Sequence, residues 1–205
     1  MRVSDVPARP RAKVLNWPRI DEWTSLILAG DIAAIAAVFQ QHGAGMPEAV
    51  RNPIPEQIPP GPLRFLAMHW QTIAAGGLPH RREIDPFKLR PALGYLMVLE
   101  PVEEGRDFRY RLYGATLARI SGLDMTRRKA SEHPASAYVS EFSIAINRAA
   151  LMARVPIYTT RRPVGAEHAM RWHRLTLPFV DDSGTPVRIL AGAAAIDSAD
   201  RLVKA

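Results

Sequence analysis

FRYRLYGATLARISGLDMTRR, Phe108 to Arg128, switches from one secondary-structure period to another at a single glycine. Phe108, Tyr110 and Leu112 alternate with Arg109, Arg111 and Tyr113, the period-two pattern of a half-buried strand. Gly114 interrupts that strand, and Ala115 to Ser121 reads as a short helix closed by Gly122. A strand that runs through one glycine into a short helix makes the wall of a pocket. It holds no nucleophile–base pair, metal cluster or phosphate loop, so it points to a fold and a class of role rather than to a reaction.

Upstream, Tyr95 to Glu100 is a compact apolar strand, and the charged turn Pro101 to Asp107, with Gly105, joins it to Phe108 as a hairpin. Before it, Asp85-Pro86 offers a cap and a first-turn proline for a short helix over Pro86 to Leu93, bent or ended near Pro91. A longer helix opens at Pro62, places Leu63, Leu66, Trp70 and Ile73 on one face, and stops at Gly76-Gly77. Residues 46–61 carry Pro47, Pro53, Pro55, Pro59 and Pro60 and read as a semi-stiff linker. Farther back, Pro18 opens a helix with Ile20, Trp23 and Ile27 in its stripe, and Gly30 closes it. Asp31 then caps a second helix carrying Ile32, Ile35 and Phe39. This helical hairpin, residues 18–45, has little volume of its own to bury and must pack on something. It also lacks the Arg, Lys or Asn that a DNA-reading helix needs. The basic residues 1–17 read as a flexible arm.

Downstream, Met125 to Lys129 and His133-Pro134 form a loop before a long helix over Ala135 to Arg154, with Val139, Phe142 and Ile146 on one side. Three strands follow: Val155 to Thr160, Ala169 to Phe179, and Val187 to Ile196. The last two are joined by the turn Asp181-Asp182-Ser183-Gly184. Leu175, Leu177 and Phe179 share one face of the middle strand, and Met170, Trp172 and Thr176 the other. The order predicts an α+β fold: a five-stranded antiparallel sheet with helices on one face, a main domain over residues 62–198 and a tail over 199–205. The other sheet face takes a flanking helix or a second subunit, and the N-terminal helices are the candidates.

Composition narrows the chemistry. The chain has 205 residues, 47% hydrophobic and 23% charged, which is enough for a real core and argues against wholesale disorder. It has no cysteine, which removes disulfides, thiolate zinc sites and cysteine nucleophiles and fits a cytoplasmic location. No apolar run approaches membrane-spanning length, and no apolar segment follows the basic N-terminal residues, so neither a membrane anchor nor a secretory signal is expected. The net charge of +7 is spread over small groups without interleaved aromatics, which disfavours nucleic acid as a partner. No GxSxG elbow surrounds Ser121. His168 and His173 fall on opposite strand faces, so no shared metal is expected. No kinase or cyclase signature is present.

Four segments in this order and spacing, LRFLAMHWQTI, LPHRREIDPFKLRPALGYLMVLE, FRYRLYGATLARISGLDMTRR and RWHRLTLPFVDDSGTPVRILAGAA, carry a wider likeness. Leu63 to Asp197 resembles the single-domain PAS-like proteins of alphaproteobacteria, a PAS subfamily of unknown function. The fixed points are Ile84-Asp85-Pro86, Arg109 to Leu112 with Gly114, Gly122, and Leu177-Pro178 before the Asp-Asp turn. The resemblance implies a sensory or interaction module with a small pocket between the sheet and the central helices, and dimerisation through flanking helices. It implies no particular cofactor. A flavin photoadduct needs a cysteine that is absent, and haem would need an axial ligand such as His133, which reads rather as an exposed loop residue.

On that likeness the expected pocket wall is Leu117, Ile120, Phe142, Ile146, Trp172 and Leu177, together with Tyr110 and Arg111. Arg109, Arg111 and Arg174 must reach solvent, pair with a carboxylate or meet an anionic ligand, and an inward Arg111 would favour a bound acid. The functional expectation is a regulatory module that forms a homodimer, signals through an unidentified protein, and is modulated by a small-molecule ligand. The alternatives are a structural adaptor with a solid core that dimerises through its N-terminal helices and, ranked last, a small enzyme. No catalytic or metal-binding residue is assigned.

Overall fold

Six strands form one antiparallel sheet: β1 (Glu48–Arg51), β2 (Leu96–Val102), β3 (Asp107–Tyr113), β4 (Ile157–Arg161), β5 (Arg171–Val180) and β6 (Pro186–Ile196). Their order across the sheet is β1-β4-β5-β6-β2-β3. The structure is a computed structural model that describes residues 13–74, 76–164, 170–197, 199 and 201–203. Among the described residues, five α-helices accompany the sheet: α1 (Trp17–Ala29), α2 (Ala33–Gln41), α3 (Pro62–Ile73), α4 (Ala115–Ser121) and α5 (Ala137–Ala153). None is long and apolar enough to cross a membrane.

The sheet has six strands where the sequence predicts five. The extra strand, β1, lies inside the proline-rich segment and pairs edge-on with β4, Ala49 opposite Thr159 and Val50 opposite Tyr158. It occupies the longest proline-free run between Met46 and Pro62, the one place where successive N–H groups remain to form a ladder. The helix expected over Pro86 to Leu93 is replaced by turns and a 3₁₀ segment, Arg90–Tyr95. Pro91 disfavours α geometry at the residue before it, which accounts for the change.

Helices cover both faces of the sheet, not one. On the first face, α3 buries Leu63, Leu66, Ala67 and Trp70 against Leu175, Leu177, Phe179 and Leu190. The Trp70 indole N–H donates to the Pro178 carbonyl at 3.2 Å. Gly192 on β6 permits this approach, because a Cβ there would stand 2.6 Å from both the Leu63 and Leu66 methyls. The face assigned to the N-terminal helices is therefore filled by the domain's own α3. α1 and α2 pack instead on α5, in a layer outside it: Trp23 meets Phe142 edge-on at 6.5 Å, and Phe39 meets Phe142 at 5.3 Å and Tyr138 at 4.8 Å.

Local chemistry accounts for the helix ends. The Asn16 side chain accepts from the Arg19 N–H at 3.0 Å at the start of α1, and Gly30 closes that helix at φ 79°. Asp31 accepts from the Ala33 N–H at 2.9 Å ahead of α2. α1 is fastened to α5 by Glu141, which is fully buried, accepts from the Asn16 N–H at 2.8 Å and forms an ion pair with Arg19 at 3.1 Å. Residues 1–12 of the arm lie outside the described residues, but Lys13 is tied down, donating to the Ala135 carbonyl at 3.1 Å and to the His133 carbonyl at 2.5 Å.

Candidate functional site

The strand–glycine–helix at Phe108 to Arg128 closes on itself. Gly114 ends β3 and opens α4, and a Cβ on it would stand 2.4 Å from the Gly94 carbonyl oxygen, so only glycine fits at this corner. Gly122 ends α4 at φ 66°. The chain then returns along β3, where the Tyr110 N–H donates to the Arg128 carbonyl at 3.0 Å and the Arg127 N–H to the Tyr110 carbonyl at 2.7 Å. This holds α4 at a distance from the sheet, and α5 roofs the remaining space.

Between them lies a cavity of about 380 Å³. Its helical wall is Leu117 and Ile120 of α4 with Ser140, Phe142, Ser143 and Ile146 of α5. Its sheet wall includes Met97, Tyr110, Thr159, Trp172, Arg174 and Ala193, and Arg161, His133, Tyr113 and His173 also line it. The volume lies in the range of small-ligand sites, and the lining mixes apolar side chains with polar ones, as such sites do.

Most of the expected wall thus comes together: Tyr110, Leu117, Ile120, Phe142, Ile146 and Trp172 all face the cavity. Leu177 and Arg111 do not. Leu177 has the opposite strand parity and packs under α3. Arg111 points away from the cavity, 60% exposed at its side chain, and meets Glu100 at 3.7 Å. Glu100 also receives Arg188 at 2.8 Å. Arg111 follows the inward-facing Tyr110 and so takes the outer face with Arg109, and a β-bulge begins at that point. Leu99 pairs with Tyr110 and Val98 with Leu112, so Arg111 is the extra residue. Beyond it the phase of β3 reverses: Tyr113 turns to the cavity, and Leu112, expected inside, is 39% exposed.

Sequence reasoning missed Tyr113, Arg161 and His133 as wall residues. His133, expected to be exposed, lies in the wall with its Nδ1 accepting from the Ala135 N–H at 3.1 Å. Burial, followed by the positive fields of Lys13, Arg161 and Arg174, lowers its pKa from 6.5 to about 4, so the ring is neutral at pH 7. His168 lies outside the described residues. His173 is buried and hydrogen-bonded to the Tyr158 hydroxyl. Among the described residues, no three His, Asp or Glu side chains converge to hold a metal ion.

The cavity's electrostatics are one-sided. Among the described residues, no Asp or Glu stands in its lining. Arg174 donates to Asn147 Oδ1 at 2.8 Å, but its Nε and the Asn147 Nδ2 are buried without a hydrogen-bond partner among the described residues. Burial lowers the pKa of Arg161, and the Arg174 charge lowers it further, against small opposing effects of Tyr138 and Tyr113. It remains a cation at neutral pH. Arg161 also borders a second recess of about 240 Å³ that includes Arg162 and Arg171. Burial raises the pKa of the Tyr110 hydroxyl, opposed by the charge of Arg174.

No curated protein and no solved structure matches the chain. A family model described as PAS domain matches residues 60–194, which run from the start of α3 almost to the end of β6 and enclose the cavity. This chain belongs to the PAS domain family.

Proposed function

We propose that the chain is a sensory or regulatory module that acts by associating with another protein chain, and that a small ligand in the cavity between sheet and helices modulates this association. PAS domains are generally sensory or regulatory rather than catalytic. The observation that carries the reading is the cavity itself. Protein interiors are ordinarily close-packed, and a space of about 380 Å³ between the sheet and α4 and α5 is far larger than a packing defect. That space counts against an adaptor with a solid core.

A route outward also exists. α5 lines the cavity with Ser143 and Ile146 and meets α1 and α2 with Tyr138 and Glu141, and Phe142 touches both. A ligand that moved α5 by a fraction of a turn would move the N-terminal helices with it, and those helices present the surface for a second copy or a signalling protein. Native mass spectrometry of the purified full chain tests the reading. A stoichiometric mass excess that disappears on denaturation, or a monomer–dimer ratio that shifts with added ligand, supports it. A chain that binds no small molecule across a broad library and associates identically with and without it refutes it.

A further inference from the structure

We infer that the cavity takes a small organic acid, its carboxylate held by Arg161 and Arg174 and its apolar body lying against Leu117, Phe142, Ile146 and Trp172. The inference rests on the proposal that the cavity is a ligand site and adds the chemical class of the ligand.

Three observations carry it. First, the two arginines sit on one face of neighbouring strands. Thr159 pairs with Arg174 and Arg161 with Trp172, so Arg161 and Arg174 are diagonal neighbours, roughly 7–8 Å apart at the backbone, within reach of one carboxylate. Second, neither has a carboxylate partner among the described residues, although both border a partly enclosed space rather than open solvent; the part-buried Arg188, Arg19 and Arg148, by contrast, are matched with Glu100, Glu141 and Asp21. Two cations beside a partly enclosed apolar space repel each other and lose hydration, a cost that a bound anion offsets. The Arg174 Nε, which has no hydrogen-bond partner among the described residues, is the donor that such an anion would complete. Third, the rest of the wall is largely apolar, which suits an acid with a hydrocarbon body and penalises a multiply charged inorganic ion. With ~30 Å³ as the share of one water in the liquid, the space holds roughly a dozen non-hydrogen atoms.

Calorimetric titration of the full chain tests this with 3-phenylpropionate and octanoate, their uncharged amides, and inorganic phosphate. The expected result is one site per chain for the acids and affinity for the amides at least ~10-fold lower, the size of a lost charge-assisted hydrogen bond. Arg174→Gln and Arg161→Gln should each weaken the acids by a similar factor and leave the amides unchanged, and Arg111→Gln should alter neither. Should Arg174→Gln fail to fold, the acid-to-amide ratio of the unaltered chain and the Arg161→Gln variant decide. Equal binding of acids and amides, or phosphate binding as tightly as the acids, overturns the assignment but leaves the ligand-site reading intact. Failure of acids and amides alike overturns the assignment and counts against the ligand-site reading as well.

Discussion

Acidification should weaken this fold through His133, by an amount the structure specifies. In the unfolded chain the ring takes up a proton as the pH falls through about 6.5, and in the folded chain only near 4. Between those values the unfolded state binds more protons than the folded one, so stability rises with pH across the window. The stabilisation is complete above 6.5 and is lost as the pH falls from 6.5 toward 4. At 1.36 kcal/mol per pH unit of difference, the loss between pH 7.5 and pH 4.5 is at most about 2.5 kcal/mol. The structure gives a second reason for the sign. The His133 Nδ1 accepts a hydrogen bond from the Ala135 N–H, and a protonated ring cannot accept it. His133→Asn isolates the effect, because asparagine keeps an acceptor near that position and does not titrate. Urea unfolding followed by circular dichroism at pH 7.5, 6.0 and 4.5 should show the unaltered chain losing about 2 kcal/mol more than the variant over this range. Parallel losses within about 0.5 kcal/mol would show that the ring is solvated and that the cavity wall does not exclude water there.

Three further outcomes follow from the packing. Trp23→Ala removes a side chain that is 1% exposed and stacked edge-on against Phe142, and urea unfolding should register a loss of about 3–5 kcal/mol. Glu141→Ala leaves the Asn16 N–H and the Arg19 guanidinium without their buried partner, at a cost of about 1–3 kcal/mol. Hydrogen exchange should localise the effect, with α1 amides exchanging faster while the β5 and β6 amides keep their protection. Gly114→Ala forces a methyl to 2.4 Å from the Gly94 carbonyl at an ordinary φ of −62°, so its cost is steric alone, about 1–3 kcal/mol, measurable as a lowered unfolding midpoint.

What the sequence made legible was local. Gly114 and Gly122 bracket α4 as read, because each acts through the few residues beside it. The stripe Leu63, Leu66 and Trp70 was equally plain, but an amphipathic stripe states that a helix has an apolar face, not which surface it meets. Between α3 and the N-terminal helices the choice was made by Gly192, far away in the chain, whose missing side chain lets Leu63 and Leu66 seat on β6. β1 was hidden for a related reason: four residues between prolines form a strand only because β4 presents an open edge. The cavity shows the same division. Period put Leu117, Phe142 and Trp172 on definite faces and the PAS likeness made those faces a pocket wall, whereas His133 and Arg161 reach the wall through loop and strand ends that carry no period.

The arginines make the physical point most clearly, since residue type says nothing about which way they face. Arg111 follows the inward-facing Tyr110 on β3, so alternation places it on the outer face with Arg109, beside Glu100. Arg174 lies on a strand whose register runs unbroken from Arg171 to Phe179, so it keeps the parity of Trp172 and Thr176 and faces α5. Strand phase, set by long-range pairing, therefore separates the arginine matched by a surface carboxylate from the one left beside an apolar space with a donor unfilled.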